Sequence, residues 1–404
     1  MPNPTDVEDR SKSSNQSDSG LHTARAQVER IGPRLAELAD AIDRGQTNPE
    51  AAYQLIAETD LSAVLVPVAD GGYGLDFADY TLLLADLARY NGAAALGFNM
   101  HNVAIGNLFD SEVGGLSAGS VRFRDWVVSE VVRGALFASA SSEPGNGARL
   151  RGLSTTYRRE GDNYVIDGHK SFVSLAGVAD YYVVSARPAD TDSDFEVSHF
   201  VVKKDDPGVE FTSDWGGSAL RGTSTAQMLL HGTIVPQERL YLGVEGMSLF
   251  KAIRDPHWMA AGYLGAYLGL ATAIVEFVAD HLARDTRRRT DIALTQQFGA
   301  MIVTFEATRS LSYRAAQAVA ERTEDANAMI YAAKHHLGTS AQALASDAVQ
   351  VTGSTSMAFT APMQRLIREV QFCSIMPATP SACLDYVARA RLGDNMLDVR
   401  TQAW

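Results

Sequence analysis

Thr155-Thr156-Tyr157-Arg158-Arg159-Glu160-Gly161-Asp162-Asn163-Tyr164-Val165-Ile166-Asp167 reads as strand, turn, strand, with polar residues alternating on either side of a Glu-Gly-Asp turn. Tyr181 to Ala186, Val197 to Val202 and Ala226 to His231 are further β-rich runs separated by Gly, Pro and Asp. Residues 134–245 therefore form a small β domain, a barrel or a sandwich. The period changes on both sides of it. Upstream, Val28, Ile31, Leu35, Leu38 and Ile42 recur at steps of three and four, the stripe of an amphipathic helix, with Gly32-Pro33 as a kink or a start. A helix over 50–58, a short apolar run Leu61 to Val68 ending in Asp70-Gly71-Gly72, and buried helices over 77–90 and 95–109 complete a helical domain over 23–133. Downstream, segments 257–284, 291–322 and 326–350 lack internal proline and are rich in Ala and Leu, with shorter helices near 361–376 and 381–392. That makes a helical bundle over 246–393. Residues 1–22 offer little to bury and are expected to be a disordered tail, with order starting near Thr23; 394–404 is a second tail. The order helical, β, helical is unusual and is itself informative.

Composition narrows the function. A chain of 404 residues is long enough for two to four domains, and 46% hydrophobic with 21% charged residues is ordinary for a soluble globular protein. Lys+Arg 35 against Asp+Glu 48 leaves a net charge of −13, and no long basic run offers the positive face that nucleic acid needs. Cys373 and Cys383, the two cysteines, are too few for a disulfide framework and lack metal-ligand spacing. No stretch reaches about 18 uninterrupted apolar residues, so no membrane span is expected. Met1 to Gly20 has no apolar core of the kind a secretory signal carries, and a cytoplasmic location is the expectation.

Single motifs carry little. Gly115-Leu116-Ser117-Ala118-Gly119 has the G-x-S-x-G spacing of a nucleophile elbow, but Phe109-Asp110-Ser111-Glu112 before it is no strand, so a connecting loop is the better reading. No histidine sits in a metal motif; His335 and His336, adjacent on a helix, point about 100° apart and read as solvated positions. No metal is expected. His101, in Asn99-Met100-His101-Asn102, and His257, in Asp255-Pro256-His257-Trp258, lie near helix starts among polar neighbours. Such histidines are more often hydrogen-bonded structural groups than catalysts. Ser142-Glu143-Pro144-Gly145-Asn146-Gly147 is a glycine-rich turn whose amides could cradle an anion. Arg287-Arg288-Arg289 either balances a helix C-terminus or supplies charge for a phosphorylated ligand.

In order along residues 24–393, these pieces resemble the acyl-CoA dehydrogenase superfamily of flavoproteins. Val66-Pro67-Val68-Ala69-Asp70-Gly71-Gly72-Tyr73-Gly74 is similar to its P-x-x-x-G-G-x-G turn, and Ser142 to Gly147 to its T-E-P-G-A-G flavin loop. Gly168-His169-Lys170-Ser171-Phe172-Val173-Ser174 followed by Gly177-Val178-Ala179-Asp180, then Leu220-Arg221-Gly222-Thr223-Ser224 and Val235-Pro236, fit further motifs of the β domain. Gln350-Val351-Thr352-Gly353 and Leu366-Ile367-Arg368-Glu369 fit two of the bundle. The resemblance implies an α+β multidomain fold: an N-terminal helical domain, a central β-barrel and a C-terminal four-helix bundle, with FAD between barrel and bundle. It also implies a homotetramer in which a neighbour completes the cofactor site. By position, Ser142 and Ser174 would hydrogen-bond the flavin, Phe172 would pack on it, and Gly145, Gly147 and Val173 belong to the same loops. An arginine among Arg287, Arg288 and Arg289 would meet the pyrophosphate, with Gln296, Gln350, Gly353 and Thr379 at other FAD contacts.

One departure bears on the reaction. Family dehydrogenases remove the α-proton of an acyl thioester with a glutamate, and that position here is Pro377, in Met376-Pro377-Ala378-Thr379. A second family location for the base falls near Met259, where no Glu lies; an arginine usual there is replaced by Ala260, with Arg254 nearby. Three readings follow. The first is a thioester dehydrogenase acting at the α,β carbons, with Asp255, His257 or His101 as base and an electron-acceptor flavoprotein as partner. The second is a flavin-dependent monooxygenase of a small-molecule substrate that uses reduced flavin and oxygen, fed by a flavin reductase and needing no α-proton base. The third is a catalytically silent partner subunit. The dehydrogenase is placed narrowly first. Asp255 could equally cap the following helix.

Overall fold

The structure, a computed structural model, describes residues 4–110, 116–212 and 216–398, with side chains described from residue 19 onward except at 260 and 261. Helix α1 (Pro4–Asp43) begins upstream of the expected start near Thr23, and its burial begins at Ala24. It runs through Pro33 without ending; Gly32 lies so close to the Tyr90 ring that a Cβ there would meet it at 2.4 Å. Val28, Ile31, Leu35 and Ile42 are all buried, as the stripe requires. Helices α2 (Glu50–Ala57), α3 (Phe77–Tyr90), α4 (Gly92–Ile105) and α5 (Ala118–Val132) complete the region. α4 starts three residues earlier than the apolar pattern suggests, because the Asn91 side chain accepts from the Ala94 amide (3.0 Å) and caps it. Ser117, the serine of the G-x-S-x-G spacing, caps α5 by accepting from the Ser120 amide; residues 111–115 before it lie outside the described part.

The central domain is a curled seven-stranded sheet: β1 (Phe137–Ala140), β2 (Thr156–Glu160), β3 (Asn163–Val173), β4 (Tyr181–Pro188), β5 (Ser198–Lys203), β6 (Val209–Phe211) and β7 (Ala226–Pro236). The opening stretch is the antiparallel β2–β3 hairpin, with Tyr157 opposite Ile166. β1 and β6 are too short to show a period and escape a sequence reading. β1 adds parallel to β4, which carries the following loop to the domain boundary.

The bundle contains α6 (Ser248–Arg254), α7 (Leu264–Ala283), α8 (Thr286–Thr290), α9 (Ile292–Ala320), α10 (Ala326–Thr352), α11 (Pro362–Val370), α12 (Phe372–Ile375) and α13 (Pro380–Leu392). The segment expected as one helix over 257–284 opens with a π-turn over His257–Ala261, and the one over 361–376 is two helices broken at Gln371. The stretch His257–Ala283 is apolar and long enough to cross a bilayer; here it is mostly buried, and α7 packs on α3 and α10 inside the protein. α9 and α10 pack together, and α13 closes on α10. The two ends of the fold are tied by ions. Arg365 of α11 donates to Asp40 (2.8 Å) and Glu369 (2.8 Å), and Arg368 pairs with Asp43 (2.6 Å) on α1.

Candidate flavin site

A cavity of about 660 Å³ lies between the sheet and the bundle, roofed by Leu96, Met100 and Val103 of α4. Pockets of this size, mostly apolar with a few polar groups, are the usual form of cofactor and small-molecule sites.

The sheet side is built by the turn 142–147, which leaves β1. Gly145 (φ +77°) and Gly147 (φ +62°) take left-handed backbone that other residues resist, and nothing stands within 4 Å of where a Cβ would be. The turn is anchored from behind. Glu143, buried, accepts from Lys170 Nζ (2.7 Å), the Ser154 hydroxyl (2.7 Å) and amide (2.6 Å), and the Thr155 amide (3.0 Å). Burial alone would raise the Glu143 carboxyl; the Lys170 ammonium and the surrounding donors outweigh it and hold it at about 2. Lys170 itself is fully buried, and burial pulls it below its usual range against the restoring field of Glu143. The register slip between Lys170 and Val173 then turns Phe172 outward (φ 52°, 57% exposed) onto the cavity, while Val173 is buried in the core.

Ser174 follows, at 3.0 Å from the Thr225 hydroxyl, which is 2.7 Å from that of Thr223. Thr223 donates its proton to the Leu220 carbonyl (2.8 Å), so it can only accept from Thr225. Thr225 in turn accepts from Ser174. This relay leaves the lone pairs of Ser174 facing the cavity.

The bundle side is apolar: Phe372, Ile375, Met376, Pro377 and Ala378, with Tyr331 stacked on Tyr386 (4.0 Å between ring centres, 20° between planes). The buried Lys334 ammonium, on α10 directly behind, donates to the carbonyls of Ser374 (3.2 Å), Met376 (2.7 Å) and Ala378 (2.6 Å). Tyr263 adds a phenol whose burial pushes its pKa up to about 12, so it stays protonated. Asp385 of α13 is the one carboxylate among the described lining residues; its side chain is 65% exposed and 3.6 Å from Arg389.

Ser142, Gly145, Gly147, Phe172, Ser174, Pro377 and Thr379 come together at this cavity. The three expected bases do not. His101 is fully buried behind the wall, accepting from the Phe137 amide at Nδ1 (2.9 Å) and meeting the Ser62 carbonyl through Nε2 (2.8 Å). Burial lowers it to about 4, so it is a neutral tie between α4, β1 and the 61–63 turn. His257 Nε2 is 2.9 Å from Asp110, which also accepts from the Trp258 indole (2.5 Å). Asp255 is paired with Arg254 (2.6 Å) and caps no helix by its side chain. None of these three lines the cavity. Arg287, Arg289, Gln296, Gln350 and Gly353 are exposed, with Arg288 half-buried beside Asp285, and all lie away from the cavity of this single chain. His335 and His336 are half-buried rather than solvated, and His336 meets the Thr308 hydroxyl (3.2 Å). No group of three metal-ligating side chains occurs among the described residues.

Family models for the acyl-CoA dehydrogenase N-terminal, middle and C-terminal domains match residues 22–111, 138–232 and 257–390. The chain belongs to the acyl-CoA dehydrogenase family. An acyl-CoA dehydrogenase of Bacillus subtilis (strain 168) is 26% identical over 351 residues, 85% of this chain and 90% of that protein. Among solved structures, butyryl-CoA dehydrogenase from Megasphaera elsdenii superposes with a TM-score of 0.81 at 21% identity, covering 93% of this chain and 98% of that one. The nitrososynthase from Micromonospora carbonacea var. africana does so equally, with a TM-score of 0.81 at 21% identity over 93% and 97%. This acyl-CoA dehydrogenase fold is thus shared with an enzyme named for a different product. The residues fit a flavin. Two open glycines, two hydroxyls and an exposed aromatic ring form a cradle on one side of the cavity.

The sequence reading missed Lys334 and the Glu143–Lys170 pair. Both lysines had a signal. Lys334 interrupts the apolar stripe Ile330, Leu337, Ala341 of α10, and Lys170 falls between the buried run Tyr164 to Ile166 and the buried Val173 of β3.

Proposed function

We propose that this flavoprotein is an FAD-dependent oxygenase of a small, largely apolar substrate, using electrons from a separate flavin reductase. The observation that carries the reading is the cavity wall at Pro377: it offers no proton acceptor, and His101, His257 and Asp255 are all engaged elsewhere. Oxygenation needs no α-proton base; reduced flavin, O2 and substrate give oxygenated substrate, water and oxidised flavin. When bound, FAD supplies the electrons and the site of oxygen activation. This chain's own residues do the rest. Ser142 and Ser174 hold the ring edge, Phe172 packs against it, and the wall of Phe372, Met376 and Pro377 excludes water and orients an apolar substrate. The exposed Arg287, Arg289, Gln296, Gln350 and Gly353, with the half-buried Arg288, suit a cofactor arm reaching a second copy of this chain, as in a homotetramer.

A second reading keeps acyl-thioester dehydrogenation, with Asp385 as base. It is favoured by Asp385, an exposed residue of α13 that lines the cavity beside Tyr386, and by the names of the sequence relatives. An anaerobic titration of the FAD-loaded protein with a panel of acyl-CoA thioesters separates the two. Absence of bleaching, together with substrate-dependent oxygen uptake in the presence of a flavin reductase, is expected. Stoichiometric bleaching that disappears in Asp385→Asn would replace the oxygenase with the dehydrogenase.

A further inference from the structure

We propose that Lys334 is a positioning residue that sets the apolar wall of the cavity, acting with Gly338 and Gln342 as one docking seam on α10. The three are spaced i, i+4, i+8 and so lie along one face of the helix. At the first, the Lys334 ammonium donates to the carbonyls of Ser374, Met376 and Ala378, which uses all three of its N–H bonds. At the second, Gly338 brings α10 against the segment so closely that a Cβ would meet the Cys373 carbonyl at 2.9 Å and Ser374 Cα at 3.0 Å. At the third, Gln342 donates to the Ser374 hydroxyl (2.8 Å) and the Gln371 side chain (3.2 Å).

The chemistry of the segment explains why a cation is needed there. Between the end of α12 and the start of α13 the chain is non-helical, and Pro377 has no N–H to give. The carbonyls around it therefore have no ladder of backbone donors. Left unpaired beside the cavity they would be acceptors on its surface. Drawn to Lys334 they point backward, and the face turned to the cavity is left to the side chains of Ile375, Met376 and Pro377. The seam thus decides that this wall recognises apolar substrate rather than a hydrogen-bonding one. It goes beyond the oxygenase reading, since it names the side chain that makes the wall apolar, and it rests on the placement of the cavity.

The test uses the FAD-loaded protein and a series of 4-alkylphenols as apolar probes, read by perturbation of the flavin absorbance, with visible circular dichroism of the bound flavin in the same samples. Lys334→Met is expected to weaken probe binding about tenfold and to flatten its dependence on alkyl length, with an altered flavin dichroism. Gly338→Ala, which removes no hydrogen bond but pushes the segment outward, is expected to act in the same direction by about threefold. FAD affinity is expected to change less than probe affinity in both, since the hydroxyls and glycines of the opposite side are untouched and only Thr379 adjoins the segment. Wild-type probe affinity, length dependence and dichroism in a folded Lys334→Met would overturn the proposal. If that variant does not fold, the same three results in Gly338→Ala overturn it. A wild-type protein that binds no alkylphenol counts instead against the apolar-substrate reading, and the dichroism of the variants still decides the seam.

Discussion

Each side of the cavity is held from behind by a buried lysine, and the two lysines do it differently. Lys170 holds the 142–147 turn through a carboxylate, Glu143, at 2.7 Å. Lys334 holds the 374–378 segment through backbone carbonyls alone. The first is an ion pair whose two members need each other; removal of either leaves a buried charge without a counterion. The second needs no acidic partner, and its three acceptors are atoms every residue has. The contrast follows the surface each must present. The sheet side offers hydroxyls to the cavity and tolerates a polar scaffold, whereas the bundle side presents apolar side chains.

The largest effect expected from breaking this symmetry is at the ion pair. Lys170→Met or Glu143→Gln should cost about 3–5 kcal/mol of stability, because a buried charge loses its partner. Chemical denaturation of the apoprotein measures it. The double variant Lys170→Met/Glu143→Leu should recover much of that loss while still binding FAD poorly, since the turn loses its anchor. Loss by the double variant equal to the sum of the singles would mean that the two groups do not act as a pair.

How far these two sides were legible differs for the same reason. The sheet side was readable as a motif, because Ser142, Gly145, Gly147, Phe172 and Ser174 bring their side chains and their permitted φ to the cavity. The overall order of helical, β and helical parts was readable from the change of period. The bundle wall was not. Its decisive groups are carbonyls, which have no letter, and Lys334 is 44 residues away from Ala378 in the chain. The candidate histidines lie off the cavity for a related reason: a histidine looks alike in sequence whether it faces a cavity or, as His101 does from the second half of α4 rather than near its start, ties an amide to a carbonyl.

Smaller effects sharpen the comparison. Ser174→Ala should weaken FAD binding by about 1 kcal/mol, or roughly fivefold, by removing one hydroxyl from the sheet side. Equilibrium dialysis of FAD reads this, and unchanged retention would take Ser174 out of the site. The smallest is a pH effect. His101 titrates at about 4 in the folded protein against a usual 6.5, so unfolding takes up a proton between these values. The stability it contributes is fully present above 6.5 and is lost as pH falls through 4. Glu143, held at about 2 against a usual 4.5, loses its contribution in a lower window. Burial lowers His199 as well, to about 3, so melting temperature should fall in two stages on acidification, and His101→Gln should shrink the upper stage while leaving the part that His199 contributes.

The ionic knot between α1 and α11 has a consequence for how the chain is made. Asp40 and Asp43 leave the ribosome 325 residues before Arg365 and Arg368, their partners. At synthesis rates of about 5–20 residues per second, the first helix waits between roughly 16 and 65 s with those carboxylates unanswered. A nascent chain arrested before residue 365 has no means of closing that junction. The ionic junction therefore closes late, on a first helix that is already packed against α3.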